Sequence, residues 1–125
     1  VALLLDTDVG LLFHLFALMG MGVPVLLLSA RLSPTAIEGL LMQTSASAIL
    51  ASPRLTRTAK EALALHTSPN ATPRLHIAEP FQQFLDKPMP KSSSSICHEG
   101  HYVADTDRNV VILNSSGTTG LPKAI

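Results

Sequence analysis

The carboxyl end of the chain, "LNSSGTTGLPKAI", holds the residues whose types and spacing are best suited to chemistry. Hydroxyl side chains and two glycines stand between an apolar run and a Pro-Lys pair. Glycine permits positive φ and close approach of a ligand, so successive backbone N–H groups can converge on an anion. The hydroxyls add donors, and Lys123 follows at a distance from which its ammonium can neutralise the same anion. The pattern predicts a site for a phosphate chain.

This glycine-rich segment, residues 115–123, differs from the P-loop of nucleotide hydrolases. A P-loop has the form G-x-x-x-x-G-K-[ST], whereas Gly117 and Gly120 are three residues apart and Leu-Pro separates Gly120 from Lys123. The alternative is that the segment is a Ser/Thr/Gly surface turn that precedes Pro-Lys and binds no ligand. A constrained pattern directly after a buried strand favours a phosphate site for another class of nucleotide enzyme.

Short apolar runs alternate with helical patterns along the rest of the chain. The runs predict strands at residues 1–5, 23–29, 47–50, 74–78 and 109–113, and those at 1–5, 23–29 and 109–113 are expected to be buried. Helices are predicted at 9–21, after the Ser-Pro pairs at 33–34 and 52–53, and at 80–85, followed by an irregular loop over 86–108. The alternation predicts an α/β fold, a layered parallel sheet with crossover helices. Such sheets bind ligands beyond the carboxyl ends of their strands, where the glycine-rich segment begins.

The predicted helices differ in the faces they bury. In the first, Leu12, Leu15, Phe16 and Met19 have helical spacing, with Thr7 or Asp8 as the cap, but the other face is apolar too. We therefore expect neighbouring elements to enclose this helix. The inner stripe of the second helix comprises Ile37, Leu40, Leu41 and Thr44. The third helix is expected to turn Leu55, Ala59, Ala62 and Leu63 inward, and Arg54, Arg57, Lys60 and Glu61 mainly outward.

The "SSGTTGLPK" of residues 115–123 resembles, at every defined position, the phosphate-binding signature of the adenylate-forming (AMP-binding) enzyme superfamily. That superfamily includes acyl-CoA synthetases, luciferases and the adenylation domains of nonribosomal peptide synthetases. Upstream, "FALMGMGVPVLLLSARLSP" resembles its helix-strand segment, and "VLLLSARLSP" is similar to fungal synthetase-like and reductase-like adenylation proteins. The resemblance covers essentially the whole chain and is strongest at the glycine-rich segment.

The resemblance implies a function and a set of binding residues. In the superfamily this loop holds the β- and γ-phosphates of MgATP while a carboxylate attacks the α-phosphate, giving an acyl-adenylate and pyrophosphate. Most members then pass the acyl group to a thiol. The resemblance thus implies ATP and Mg²⁺ as cofactors, a carboxylic acid as substrate, and CoA or a phosphopantetheine carrier as acceptor. By position, the phosphate-binding residues are Ser116, Gly117, Thr118, Thr119, Gly120 and the cationic Lys123.

The chain also departs from the superfamily pattern. Ala124 stands where glycine is most common, which bears on turn geometry. The superfamily's aromatic-Gly-x-Thr-Glu segment, its ribose-binding aspartate and its catalytic lysine are not in this sequence. We therefore expect residues 1–125 to be a partial AMP-binding domain, cut after the phosphate loop and inactive alone, within the large N-terminal domain of an adenylate-forming enzyme. A noncatalytic truncated gene product is the alternative.

The composition limits the kinds of partner and the cellular setting that we expect for the chain. Nine basic residues balance nine acidic ones, so no long-range field directs the chain to nucleic acid or to an anionic membrane. The single cysteine, Cys97, excludes an internal disulfide framework and is typical of a cytoplasmic protein. Residues 9–30 carry no formal charge over a length that could span a bilayer, which leaves a membrane segment as a further alternative. Gly20, Gly22 and Pro24 instead favour a helix, a turn and a strand.

Other polar clusters favour structural interpretations. "CHEGH" gathers Cys97, His98, Glu99 and His101, but its spacing fits no defined zinc motif, and a surface loop is expected. His14 is interpreted as a core histidine with a hydrogen-bond partner. Asp105 and Asp107 are interpreted as turn residues. Asn70 and Asn114 begin N-glycosylation patterns, which matter only in a secreted chain.

Overall fold

The structure is a computed structural model that describes residues 1–67, 72–86, 111–115 and 122–125. Its strands are β1 (Ala2–Leu4), β2 (Val25–Leu27), β3 (Ala48–Ala51), β4 (Arg74–Ile77), β5 (Val111–Ile112), β6 (Asn114–Ser115) and β7 (Lys123–Ala124). Its helices are α1 (Val9–Gly20), α2 (Pro34–Thr44), α3 (Thr56–Leu65) and α4 (Gln82–Asp86), with a 3₁₀ turn at Pro53–Leu55. The loop expected over 86–108 lies outside the described residues except for Asp86, which ends α4.

Five strands form one parallel sheet in the order β4-β3-β1-β2-β5. The strand β1 is central, and the chain winds first toward β2 and then back across β1 to β3 and β4. Helix α1 packs on one face of the sheet, while α2 and α3 pack together on the other. The predicted α/β fold with a layered parallel sheet and crossover helices is confirmed.

The larger core lies between the sheet and the pair α2 and α3. Side chains of β1, β2 and β3 meet the inner faces of both helices there, and the buried members include Leu4, Leu26, Ile37, Leu40, Leu41, Ile49, Ala59 and Ala62. The predicted inner stripe of α2 is confirmed for its three aliphatic residues, while Thr44 is half-buried and donates its hydroxyl to Leu40 O at 2.8 Å. In α3 the predicted division is confirmed, since Ala59 and Ala62 are buried and Arg57 and Lys60 are exposed.

Two helices begin with a side-chain cap that the local sequence provides, and a third does not. Asp8 Oδ1 accepts from Leu11 N at 3.2 Å, and Ser33 Oγ accepts from Ala36 N at 3.3 Å, so both residues cap the helices that follow them. The pair Ser52-Pro53 predicts a helix start of the same kind, but the side chain of Ser52 makes no capping bond. The Ser52 hydroxyl instead donates to Asp6 Oδ2 at 2.9 Å, and the chain makes a 3₁₀ turn before α3 begins.

The prediction that α1 is enclosed is wrong for the part of the chain that the structure describes. Helix α1 covers the sheet with Leu11, Leu15 and Leu18, whereas Leu12 and Phe16 are 49% and 62% exposed. The helix is apolar on all sides, so its sequence carries no periodic signal that separates an inner face from an outer one. The outer face of α1 is therefore an apolar surface of this chain.

The apolar stretch at residues 9–30 forms separate elements. Helix α1 ends at Gly20, a turn with positive φ at Gly22 follows, and the chain then enters β2. Among the described residues, no helix has the length and apolar character required to cross a membrane.

Candidate functional site

The described part of the glycine-rich segment belongs to a short β-hairpin. Strands β6 and β7 are antiparallel, with Asn114 opposite Ala124 and Ser115 opposite Lys123. Leu113 N donates to Ile125 O at 3.3 Å and Ile125 N donates to Leu113 O at 2.8 Å, which extends the pairing by one residue. The hairpin therefore joins the two flanks of residues 116–121 directly to each other.

The hairpin is held against the end of the parallel sheet. Strand β5 runs parallel to β2, and β6 follows β5 after a single residue. Asn114 Nδ2 donates to Leu27 O, at the carboxyl end of β2, at 2.9 Å. The glycine-rich segment thus begins at the carboxyl edge of the sheet, where α/β folds bind their ligands. Because this amide nitrogen is already bonded to the backbone, a glycan on Asn114 would disrupt the contact.

Only Lys123 of the six predicted phosphate-binding residues lies within the described residues. Its side chain is exposed, and it makes no ion pair with any residue that the structure describes. Ser115, directly opposite on β6, is half-buried. The positions of Ser116, Gly117, Thr118, Thr119 and Gly120 lie outside the described residues. Among the described residues this ammonium has no carboxylate partner, and a phosphate is one of the groups that a free ammonium can bind.

A cleft of about 180 Å³ opens at the carboxyl ends of β1, β3 and β4. Its lining includes Asp6, Asp8, His14, Ser52 and Glu79. The predicted partner of His14 is confirmed, since its Nδ1 donates to Gly10 O at 2.7 Å, although the side chain is only half-buried. His14 also meets Phe84 edge-on, with ring centroids 6.0 Å apart.

The carboxylate of Asp6, at the edge of this cleft, accepts hydrogen bonds on both of its oxygens. Arg54 contacts Oδ1 through both its Nη2 and its Nε, the latter at 2.9 Å, and the Ser52 hydroxyl donates to Oδ2. The hydrogen bond from Arg54, followed by the one from Ser52, lowers the pKa of Asp6 below its ordinary value. These hydrogen bonds connect the end of β1 to the turn after β3 through the Asp6 carboxylate.

We expect this network to make stability depend on pH. A carboxyl whose folded pKa is depressed stabilises the fold above its unfolded pKa of about 3.9, and that contribution is lost as the pH falls through the folded pKa. Asp6→Asn should therefore lower the urea midpoint slightly at pH 7, and the difference from the unsubstituted protein should shrink below about pH 4. The effect is small because Arg54 is largely exposed.

The matched control for Asp6→Asn is Glu61→Gln, which removes an exposed ion pair with Arg57 on α3. This change should have a smaller effect at pH 7. A difference between Asp6→Asn and the unsubstituted protein that is equal at pH 7 and pH 3 would contradict an ionic role for Asp6.

The remaining predicted clusters do not form a second site among the described residues. The residues of "CHEGH", Asp105, Asp107 and Asn70 all lie outside them. Within residues 1–67, 72–86, 111–115 and 122–125, no three histidine, cysteine, aspartate or glutamate side chains are grouped so that they could hold a metal ion.

A parallel sheet with helices on both faces, followed at its carboxyl edge by a glycine- and hydroxyl-rich segment, places the chain among ligand-binding α/β proteins. Comparison with known families defines it further. Residues 1–125 match the AMP-binding enzyme family over their whole length, and the chain belongs to that family.

Relatives in fungi share substantial identity with the complete chain. An adenylate-forming reductase of Aspergillus terreus is 47% identical over 126 residues, which is all of this chain and 12% of that protein. The adenylate-forming reductase stbB of Stachybotrys bisbyi is 40% identical over 125 residues, all of this chain and 11% of that protein. The chain therefore spans only about an eighth of the length of these relatives.

Solved structures of adenylate-forming enzymes share the fold. The luciferase-like enzyme of the mealworm Zophobas morio superposes with a TM-score of 0.72 at 22% identity, covering 99% of this chain and 29% of that one. A benzoate CoA ligase of Burkholderia xenovorans gives 0.66 at 20% identity, covering 98% of this chain and 22% of that one. The O-succinylbenzoate CoA synthetase of Bacillus subtilis, solved with AMP, superposes with a TM-score of 0.65 at 17% identity, covering 99% of this chain and 28% of that one. At these identities the likeness supports the fold alone.

Proposed function

We propose that residues 1–125 form part of an adenylation domain in a longer, ATP-dependent enzyme that activates a carboxylic acid. The observation that carries this proposal is the match of the entire chain to the AMP-binding family, together with 47% identity to an adenylate-forming reductase. Because the chain spans so little of its relatives, the reaction is proposed for the longer protein, and residues 1–125 alone are proposed to be inactive.

The proposed role of the glycine-rich segment is to bind the phosphates of ATP. Bound ATP supplies the adenylyl group that activates the acid, and pyrophosphate leaves. The proposed phosphate-binding residues are Ser116, Gly117, Thr118, Thr119, Gly120 and Lys123. The hairpin supports this assignment, since it places the exposed Lys123 directly opposite Ser115, at the start of the segment.

Lys123 has the chemistry that the release of pyrophosphate requires. Its ammonium carries three donors and a full positive charge, so it can neutralise the phosphate oxygens of bound ATP and remain bound to them while pyrophosphate leaves. The backbone N–H groups of the glycine-rich segment would add neutral donors around the same oxygens. The acyl acceptor in the longer protein is proposed to be a thiol, CoA or a phosphopantetheine carrier, and the setting to be the cytoplasm.

Exchange of labelled pyrophosphate into ATP tests this function directly. We expect the full-length protein to catalyse exchange only when a carboxylic acid that it accepts is present, and a panel of aromatic and aliphatic acids would reveal which. Residues 1–125 alone serve as the negative control. Absence of exchange with every acid, in a folded full-length protein that retains the downstream segments of the family, would contradict the proposal, and a reading frame that stops at Ile125 would favour a noncatalytic product.

A further inference from the structure

The side chain of Gln43, in the last turn of α2, bonds to the segment that carries Lys123. Gln43 Nε2 donates to Pro122 O at 3.4 Å, and Gln43 Oε1 accepts from Ala124 N at 3.2 Å. The two bonds determine the orientation of the amide, since a carbonyl requires a donor and an N–H requires an acceptor. Gln43 is thus joined to both residues that flank Lys123.

These bonds occupy the outer edge of β7. In an antiparallel hairpin each residue directs its N–H and C=O to one side, and the side alternates along the strand. Leu113 and Ile125 exchange bonds across the hairpin, so the N–H of Ala124 and the C=O of Pro122 face away from β6. An edge strand leaves such groups unpaired. The amide of Gln43 supplies the donor and the acceptor that a residue of a further strand would supply.

The hydrogen bonds of Gln43 lie at the border between the core and solvent. Pro122 is buried and Ala124 is half-buried, with its methyl group packed against the larger core, whereas Gln43 is exposed. The bond to Pro122 O is partly buried and the bond from Ala124 N is exposed, and a carbonyl that is partly shielded from water destabilises a structure when it is left unpaired. A strand of two residues has few other bonds to hold it. The direction of β7, and with it the position of the Lys123 backbone, therefore depends on Gln43.

We infer that Gln43 is a positioning residue for Lys123, acting through Pro122 and Ala124 to hold the lysine where it meets the phosphates of ATP. This inference rests on the proposed function. On β6, the side chain of Asn114 holds the hairpin in a similar way, because it bonds to Leu27 O at the end of β2. Gln43 itself does not touch the nucleotide, and its effect is on ATP binding.

The test is Gln43→Met in the full-length protein. Methionine keeps the length of the side chain and suits a helix, but it provides neither the donor nor a strong acceptor. In the pyrophosphate exchange assay we expect the KM for ATP to rise about tenfold, because both bonds to the residues that flank Lys123 are lost. The KM for the acid and the rate at saturating ATP should change little, and hydrogen exchange at the Ala124 amide should become faster.

Two further variants complete the experiment. Gln43→Ala removes the same atoms with the residue of highest helix propensity, so it must give the same shift, and it replaces Gln43→Met if that variant folds poorly. Thr35→Ala lies on the exposed surface of the same helix, two turns earlier, and should leave the KM for ATP unchanged. A shift that appears equally in Thr35→Ala would indicate a general loss of stability and would overturn the inference.

Lys123→Ala, measured beside these variants, separates the inference from the function on which it rests. If Lys123→Ala raises the KM for ATP and Gln43→Met does not, Gln43 has no positioning role and the phosphate site stands. If Lys123→Ala itself leaves ATP binding unchanged, the proposed phosphate site is wrong and the inference falls with it.

Discussion

Replacement of Lys123 by alanine is expected to raise the KM for ATP in pyrophosphate exchange by about 10- to 100-fold. A hydrogen bond to a charged group contributes about 1.5–3 kcal/mol, and each 1.4 kcal/mol corresponds to a factor of ten. The lysine side chain is exposed on β7 and makes no ion pair with any described residue, so its removal should not disturb the fold. The loss should therefore appear in nucleotide binding and not in protein stability.

A lysine elsewhere on the surface provides the matched control for Lys123→Ala. Lys60 is exposed on α3, the helix between β3 and β4 in the chain, and Lys60→Ala should leave exchange unaltered. Exchange kinetics for Lys123→Ala that equal those of the unsubstituted protein at subsaturating ATP would contradict the assignment of Lys123 to the phosphates.

Replacement of Leu40 by alanine is expected to lower the free energy of unfolding by about 2–5 kcal/mol. Leu40 is fully buried between α2 and the sheet, in the larger core, where its loss leaves a cavity. Many small domains are stable by only about 5–15 kcal/mol, so the variant should unfold at much lower urea. The measurement is a urea titration of residues 1–125 followed by circular dichroism.

Met42, two residues further along α2, is the control for Leu40→Ala. It is 43% exposed, and Met42→Ala should change the free energy of unfolding by less than about 0.5 kcal/mol. Equal losses in the two variants would show that α2 does not pack through the face described above.

The alternation of strands and helices could be predicted from the sequence because each element has a local signal. Continuous apolar runs mark the buried strands of a parallel sheet, and Ser33 with Pro34 marks the start of α2. The inner face of α2 could be predicted for a similar reason, since polar residues separate its apolar positions. These signals depend only on neighbours within a few residues, and the tertiary structure agrees with them.

The predictions that are wrong concern residues whose contacts are made with residues far away in the sequence. Ser52 carries a good capping side chain, but Asp6, 46 residues earlier, accepts its hydroxyl instead. Helix α1 is apolar all round, so only the tertiary structure shows which face meets the sheet. Exposure of Leu12 and Phe16 follows from that packing and has no signal in the spacing of the helix.

The sequence predicts the phosphate-binding residues from their types and from the resemblance, and the structure adds the contacts of the two short strands that flank residues 116–121. Strands β6 and β7 are two residues each, too short for a periodic pattern. The bonds that hold them reach from Gln43 across about 80 residues and from Asn114 back to β2. No local rule predicts such pairs. Of the predicted set, Lys123 has a described position, and the assignment of Ser116, Gly117, Thr118, Thr119, Gly120 and Lys123 to the phosphates stays a prediction.

The central claim is that the glycine-rich segment binds the triphosphate of ATP, and a crystal structure of the full-length protein with Mg²⁺ and a non-hydrolysable ATP analogue tests it most directly. We predict backbone N–H groups of residues 116–120 within hydrogen-bonding distance of the β- and γ-phosphate oxygens, with the Lys123 ammonium against the same group. The account is contradicted if these N–H groups are bonded to the protein's own carbonyls and the triphosphate lies elsewhere.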